Sequence, residues 1–144
     1  MSAIEQLLED YPVRHRLRIR YSEIDAQGVV FNAHYLTFFD TALNEAFRHL
    51  DMDWLAQVET TGCDVQLVKS LVEYKSPIRF DEEVDVCARV GRLGTSSITW
   101  QLAIFGVNDG RLRATGEVVW VYTDLNNNQS QPLADWLRNA LENL

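Results

Sequence analysis

The alternation of apolar and polar residues predicts a strand and then a long helix in the first third of the chain. From Val13 to Tyr21, apolar side chains face one side and four arginines face the other, which is typical of a strand with one wet face. From Asn32 the apolar spacing becomes helical and covers more than a narrow stripe. We therefore expect a helix buried on most sides, with Asn32 as its N-cap.

Four more strands are predicted in the rest of the chain, because it is rich in β-branched and aromatic residues separated by short turns. Their expected ranges are about 64–74, 83–93, 97–107 and 112–123. The last three lie close together in sequence and predict an antiparallel meander, with an Asn-Asp-Gly hairpin signal at 108–110. A short amphipathic helix is expected over about 132–143.

Strands outnumber helices and follow one another along the chain, which favours an α+β fold. We expect an antiparallel five-stranded sheet wrapped around a long central helix. The 144 residues match the size of one domain, so residues 1–144 are assigned to a single domain. Such a sheet leaves exposed edges, and edge-to-edge pairing of copies satisfies them, so we expect a dimer or tetramer.

Composition excludes several classes of function. The formal net charge of −8 provides no basic field for nucleic acid, so an anionic ligand would need a local basic cluster. No apolar stretch approaches the roughly 20 residues of a membrane-spanning helix, and residues 1–10 lack the pattern of a signal peptide. We expect a cytoplasmic protein without membrane insertion. No His, Cys or carboxylate cluster has metal-ligand spacing, so no metal is predicted.

The segment between the first strand and the helix carries the candidate chemistry. It places Asp25 three residues before Gly28, then two valines, Asn32 and Tyr35. A carboxylate near the N-terminus of a buried helix lies beside unpaired backbone N–H groups and the positive end of the helix dipole. Donors in the first turn, around residues 32–35, can hold a carbonyl oxygen as it gains charge. By itself, however, an aspartate before a glycine is more often a turn residue that bonds its own backbone.

This segment resembles the signature of the hot-dog-fold acyl-CoA thioesterases of the 4-hydroxybenzoyl-CoA thioesterase type. The matching positions are Asp25, Gly28, Val29 with Val30, Asn32 and Tyr35. The resemblance implies a hot-dog domain that hydrolyses an acyl-CoA thioester to free acid and CoA, without a cofactor, in sites built from two chains. Asp25 would either attack the carbonyl carbon or activate water as a general base, and the sequence leaves both routes open.

Substrate-binding residues are expected in two segments. The first surrounds the start of the helix: Gly28, Asn32, Ala33, His34 and Tyr35. The second is a turn between strands whose Arg92, Ser96 and Ser97 suit the phosphates of CoA. Other candidate phosphate donors are Lys69, Lys75, Arg79, Arg111 and Arg113, although each is equally typical of solvated surface charge. His34 is expected at a wall or a subunit contact, and Glu45 is the second candidate for the catalytic carboxylate.

Two other functions fit the same fold. A hydratase or dehydratase of acyl thioesters would need an acidic residue paired with a histidine, and only His34 lies near Asp25 in sequence. A non-catalytic module that binds acyl-CoA or supports an assembly would keep the pocket but lack turnover. Release of free thiol from an acyl-CoA would distinguish an enzyme from such a module.

Overall fold

The computed structural model describes residues 8–144, so the expectation about a signal peptide lies largely outside the described residues. The strands are β1 (Val13–Arg18), β2 (Cys63–Tyr74), β3 (Glu83–Leu93), β4 (Ser97–Gly106), β5 (Leu112–Asp124) and β6 (Gln129–Ser130). The helices are α1 (His34–His49), α2 (Trp54–Thr61) and α3 (Asp135–Glu142). All four strands predicted after the long helix are present, with bounds within about one residue of those expected.

One antiparallel sheet runs in the order β1-β3-β4-β5-β2, and the two-residue β6 pairs with β5. The meander β3-β4-β5 lies at its centre, as predicted, while β1 and β2 form the edges. The structure therefore confirms an α+β arrangement whose sheet curls around a long helix. Within residues 8–144, none of the helices is both long and apolar enough to cross a bilayer.

Helix α1 packs on the concave face of the sheet because its apolar residues cover most of its circumference. Its buried residues are Tyr35, Phe38, Phe39, Ala42, Leu43, Ala46 and Phe47. The approach of helix to sheet is closest at Gly116 of β5, where an added Cβ would lie 2.2 Å from Cε2 of Phe39. Glycine is required there by contact with the helix, and each large side chain buried in this layer contributes about 1.5–3 kcal/mol.

An aromatic cluster joins the C-terminal half of α1 to four other elements. Phe47 stacks on Trp54 of α2 at 4.5 Å and on Trp120 of β5 at 5.8 Å between ring centroids. Trp120 meets Trp100 of β4 edge to face, and Trp54 lies 6.4 Å from Trp136 of α3. We call these residues, Phe47, Trp54, Trp100, Trp120 and Trp136, the tryptophan cluster.

Two local expectations were wrong, and one helix was not predicted. Asn32 is not the N-cap, because α1 begins at His34 and its N-cap is Ala33, which makes no side-chain cap. The first strand ends at Arg18, and residues Tyr21–Glu23 form a 3₁₀ turn in which Tyr21 is exposed. Helix α2 was not predicted because none of its residues is buried, so it has no continuous apolar stripe.

Candidate active site

The loop after the 3₁₀ turn folds tightly around Asp25. The amide of Asp25 donates to the carbonyl of Val29 at 2.9 Å, and the amide of Gly28 donates to the carbonyl of Asp25 at 2.9 Å. Oδ1 of Asp25 accepts the amide of Gln27 at 2.8 Å. Gly28 has φ +76°, a left-handed conformation that favours glycine. Asp25 is therefore a turn-forming residue, as its spacing to Gly28 indicates.

The far side of this loop is fixed against the segment that precedes β3. The amide of Val30 donates to the carbonyl of Ile78 at 2.8 Å, and Val29 forms an antiparallel bridge with Arg79. These contacts bring residues distant in sequence into one wall. We call residues 75–82 the wall segment.

A cavity of about 360 Å³ opens between the loop and the wall segment. It brings together three of the residues predicted for the site: Asp25, Asn32 and Tyr35. Gly28, Ala33 and His34 are adjacent in sequence but do not line it. The remaining lining residues are Gln27, Val29, Val30, Tyr74, Lys75, Ser76 and Pro77.

Of the four backbone N–H groups of residues 32–35, at the start of α1, two have an acceptor within residues 8–144 and two do not. The amide of His34 donates to the carbonyl of Phe31 at 3.0 Å, and that of Tyr35 donates to the carbonyl of Asn32 at 3.4 Å. The amides of Asn32 and Ala33 have no acceptor within residues 8–144. Asn32 lines the cavity together with Asp25, so one of these two unpaired amides belongs to a residue of the lining.

Two tyrosines form one side of the cavity. Tyr35 is almost fully buried and meets Tyr74 edge to face at 4.8 Å, while the Tyr74 hydroxyl donates to the carbonyl of Asn32 at 3.1 Å. Burial is the main cause that raises the pKa of Tyr35, and the Tyr74 hydroxyl adds to the effect. The Tyr35 hydroxyl therefore stays protonated at neutral pH. Tyr74 was missed as a site residue, although an aromatic residue shortly before Pro77 was a usable signal.

The second predicted binding segment lies elsewhere on the protomer. Arg92 is near the end of β3, and Ser96 and Ser97 lie where β4 begins. Strand β3 starts at Glu83, directly after the wall segment. At roughly 3.3 Å per residue, Arg92 therefore lies about 30 Å from that end of the strand. Arg92 instead lines a separate groove of about 470 Å³ between β3 and α3.

The other charged candidates have different surroundings. Lys75 lines the cavity, whereas Nζ of Lys69 is paired with Oε2 of Glu117 at 2.6 Å. Arg113 is a wrong choice for a phosphate donor, because its side chain is 9% exposed and is held by two carboxylates. Glu45 pairs with Arg48 and does not line the cavity.

His34 packs edge to face on Phe31, with 5.8 Å between ring centroids, and contributes no side chain to the cavity lining. Within residues 8–144, no histidine lines this cavity with Asp25, whereas the hydratase alternative needs such a pair. Among the described residues, no group of three His, Cys, Asp or Glu side chains is placed to hold a metal ion.

A family model and individual known proteins both match most of this chain. Residues 19–141 match the model of the thioesterase-like superfamily. The acyl-CoA thioester hydrolase YbgC of Escherichia coli is 30% identical over 96 residues, which span 66% of this chain and 71% of that protein. A 1,4-dihydroxy-2-naphthoyl-CoA hydrolase of Thermosynechococcus vestitus is 24% identical over 136 residues, covering 91% and 92% of the two chains.

Solved structures agree on the fold. The crystal structure of Slr0204, a 1,4-dihydroxy-2-naphthoyl-CoA thioesterase from Synechocystis, superimposes with a TM-score of 0.84. The superposition covers 92% of this chain and 96% of that one, at 14% sequence identity, and so bears on the fold alone. The predicted hot-dog fold and the predicted thioesterase class are confirmed, while the narrower 4-hydroxybenzoyl-CoA type stays a prediction. The chain belongs to the thioesterase-like superfamily.

Proposed function

We propose that the cavity beside Asp25 hydrolyses an acyl-CoA thioester to a free acid and CoA. The observation that most supports this is that one cavity is lined by Asp25 and by Asn32, which directly precedes the N-cap of α1 and whose amide has no acceptor within residues 8–144. A carboxylate can attack or activate water, and the amide together with the helix dipole can stabilise the oxygen that gains charge. Family membership agrees with the same chemistry.

The chemical step needs only these groups. One oxygen of Asp25, Oδ1, holds the turn, whereas Oδ2 has no partner within residues 8–144. In the nucleophilic route an oxygen of the carboxylate attacks the carbonyl carbon, the C–S bond breaks, and CoA leaves as a thiolate. Water then cleaves the resulting anhydride and regenerates Asp25. In the general-base route Asp25 takes a proton from water as the water oxygen attacks the same carbon. The C–S bond then breaks, and the departing CoA thiolate takes up that proton, which restores the carboxylate.

The proposed substrate contacts follow from the position of each residue. Asn32 and Tyr35 would contact the acyl thioester, and Lys75 is the cationic residue in the cavity lining. Gly28, Ala33 and His34 would shape the entrance. Arg92, Ser96 and Ser97 are distant within one protomer, so we propose that they contact CoA bound in the site of a second subunit.

Self-association is part of this proposal. Strand β2 is a 12-residue sheet edge that exposes Leu67, Val68, Leu71 and Tyr74. A long apolar edge is unfavourable in water and is commonly covered by a second copy. We propose that residues 1–144 form one domain, that copies pair through β2 into a dimer or tetramer, and that the protein is cytoplasmic.

The test is release of free thiol from a panel of CoA thioesters with short, long and aromatic acyl groups. Asp25→Asn keeps the shape of the side chain and removes its negative charge, so the rate should fall at least about a hundredfold. Glu45→Gln is the matched control, since Glu45 does not line the cavity, and it should retain activity.

The outcomes separate the alternatives. Activity retained in Asp25→Asn but lost in Glu45→Gln would transfer the catalytic role to Glu45. Tight binding of a CoA thioester without thiol release by the wild type would favour the non-catalytic binding module. Loss of activity in Asp25→Asn alone supports the proposed mechanism.

A further inference from the structure

Arg113 of β5 is the one buried cation among the described residues. Its Nη2 donates to Oε1 of Glu82 at 2.9 Å and to Oδ2 of Asp109 at 2.8 Å, and its Nη1 donates to the carbonyl of Pro77 at 2.6 Å. These are charge-assisted bonds from one planar group to two points of the wall segment and to the turn before β5. The guanidinium is therefore held in a single orientation.

The same residue holds the wall segment through its backbone. The carbonyl of Arg113 accepts the amides of Lys75 at 2.8 Å and Ser76 at 3.1 Å. Glu82, the carboxylate partner of Arg113, also accepts the amide of Arg79 at 2.5 Å. Arg113 thus fixes the beginning, the middle and the end of the wall segment.

The wall segment in turn faces the candidate catalytic loop. Lys75, Ser76 and Pro77 line the cavity opposite Asp25, and the backbone of residues 78 and 79 pairs with Val30 and Val29. A shift of the wall would therefore change the width of the cavity and the placement of an acyl group relative to Asp25.

A role confined to stability explains this arrangement poorly. Within residues 8–144 the buried Nε of Arg113 has no hydrogen-bond partner, and an unbonded buried N–H is unfavourable. Well-packed apolar residues often replace buried ion pairs without loss of stability. A guanidinium is instead suited to orienting several groups at once, which is the requirement at a site where reacting atoms must be aligned.

We propose that Arg113 is a positioning residue, which sets the wall segment at the correct distance from Asp25; this inference rests on the proposed thioesterase function. The test compares Arg113→Met with Arg16→Met, a control for the loss of an arginine–carboxylate pair elsewhere on the sheet. Arg16 forms a two-bond pair with Asp85 at 3.0 and 3.1 Å, on the β1 edge of the same sheet, and does not line the cavity. Arg113→Met removes the cation shared by Glu82 and Asp109, whereas Arg16→Met removes the more exposed cation that is paired with Asp85 alone.

At a temperature where both variants remain folded, Arg113→Met should lower kcat for thioester hydrolysis by about 10- to 100-fold, with KM changed less than about threefold. Arg16→Met should leave kcat within about twofold of the wild type. A folded Arg113→Met with the kcat of the wild type would overturn the inference, as would an equal loss of kcat in the control.

If Arg113→Met does not fold, Glu82→Gln decides the question. The amide keeps the size of the side chain but weakens the bonds to Arg113, so kcat should fall at least about threefold with KM nearly constant. An unchanged kcat in that variant would overturn the inference. A wild-type protein that releases no thiol would instead remove the proposed function itself.

Discussion

The geometry of Asp25 is compatible with two roles that are usually regarded as alternatives, a turn-forming bond and the proposed catalytic step. Its Oδ1 accepts the amide of Gln27 and so stabilises the turn, while Oδ2 is left without a protein partner among the described residues. A turn bond of this kind fixes the rotamer of the side chain at no cost to the second oxygen. The residue can therefore be held rigidly and still act on a substrate.

The amide of Asn32 is expected to be the oxyanion donor, and proline substitutions can test it. Asn32→Pro removes this N–H but keeps the carbonyl that Tyr74 uses, so kcat should fall by about 100- to 1000-fold. Ala33→Pro removes the neighbouring N–H, which does not line the cavity. Ala33 has φ −68°, which a proline ring accepts, but it is the third residue of the turn that the His34 amide closes on the Phe31 carbonyl, where proline is disfavoured. Ala33→Pro should therefore lower the free energy of unfolding but, as long as it is folded, keep a kcat close to that of the wild type.

Steady-state kinetics and denaturant unfolding of the two proline variants check this expectation. Circular dichroism establishes that Asn32→Pro is folded. If a folded Asn32→Pro keeps its rate while Ala33→Pro loses it, the donor is the amide of Ala33.

At the level of elements, the period of apolar residues was enough to place the strands and the long helix. It failed at Tyr21 and at α2, because neither segment has a continuous buried face. Around the candidate site, local spacing predicted Asp25, Asn32 and Tyr35, which the structure brings together in one cavity, and Gly28, which does not line it. It could not identify the role of Arg113, whose partners Pro77, Glu82 and Asp109 lie 36, 31 and 4 residues away. The network is visible only in the folded structure, where Arg113 of β5 lies against the wall segment that precedes β3.

The free edge of β2 leads to a prediction about assembly. Val68 lies beside the irregularity between Leu67 and Lys69 and is 59% exposed, so a charge there should disturb the monomer little. The proposed pairing through β2 predicts that Val68→Lys is monomeric, because a desolvated ammonium opposes edge pairing. Leu55→Lys places the same charge on α2, at a leucine that is also exposed, and should leave the assembly intact.

Sedimentation velocity of both variants and the wild type measures the result. A Val68→Lys protein that sediments like the wild-type oligomer would place the interface elsewhere. Loss of thiol release together with dissociation would further indicate that each site draws residues from two chains.

Over the whole molecule, buried ionisable groups predict a loss of stability at alkaline pH. Burial, with a smaller contribution from Asp85, raises the pKa of Cys87 from 9.0 to about 12. Burial also raises the pKa of Tyr11, Tyr35 and Tyr122 above 10.0. Each group binds its proton more tightly in the folded state. The contribution of each group to the free energy of unfolding is therefore complete below the pKa that the group has in the unfolded chain. It is lost as the pH rises towards the pKa that the group has in the folded protein.

Denaturant unfolding between pH 7 and pH 10.5 tests this expectation. These groups should leave the free energy of unfolding nearly constant up to about pH 9. Above that pH, each titrating group should lower the free energy of unfolding by up to about 1.4 kcal/mol per pH unit. Cys87→Ala should show a shallower fall between pH 9 and pH 10, even if it is less stable throughout. Equal slopes in the two proteins would contradict the assignment to Cys87.

The tryptophan cluster has a consequence for how this protein can be observed. All four tryptophans of the chain belong to it, and none lines the cavity beside Asp25. Excitation energy can pass between indoles at these separations, so their emission reports on one shared environment. Intrinsic fluorescence should therefore follow the joint melting of α1, α2, α3 and the centre of the sheet as one signal, and remain almost unchanged when an acyl group enters the cavity. A tryptophan introduced by Tyr74→Trp would supply the missing optical reporter of occupancy.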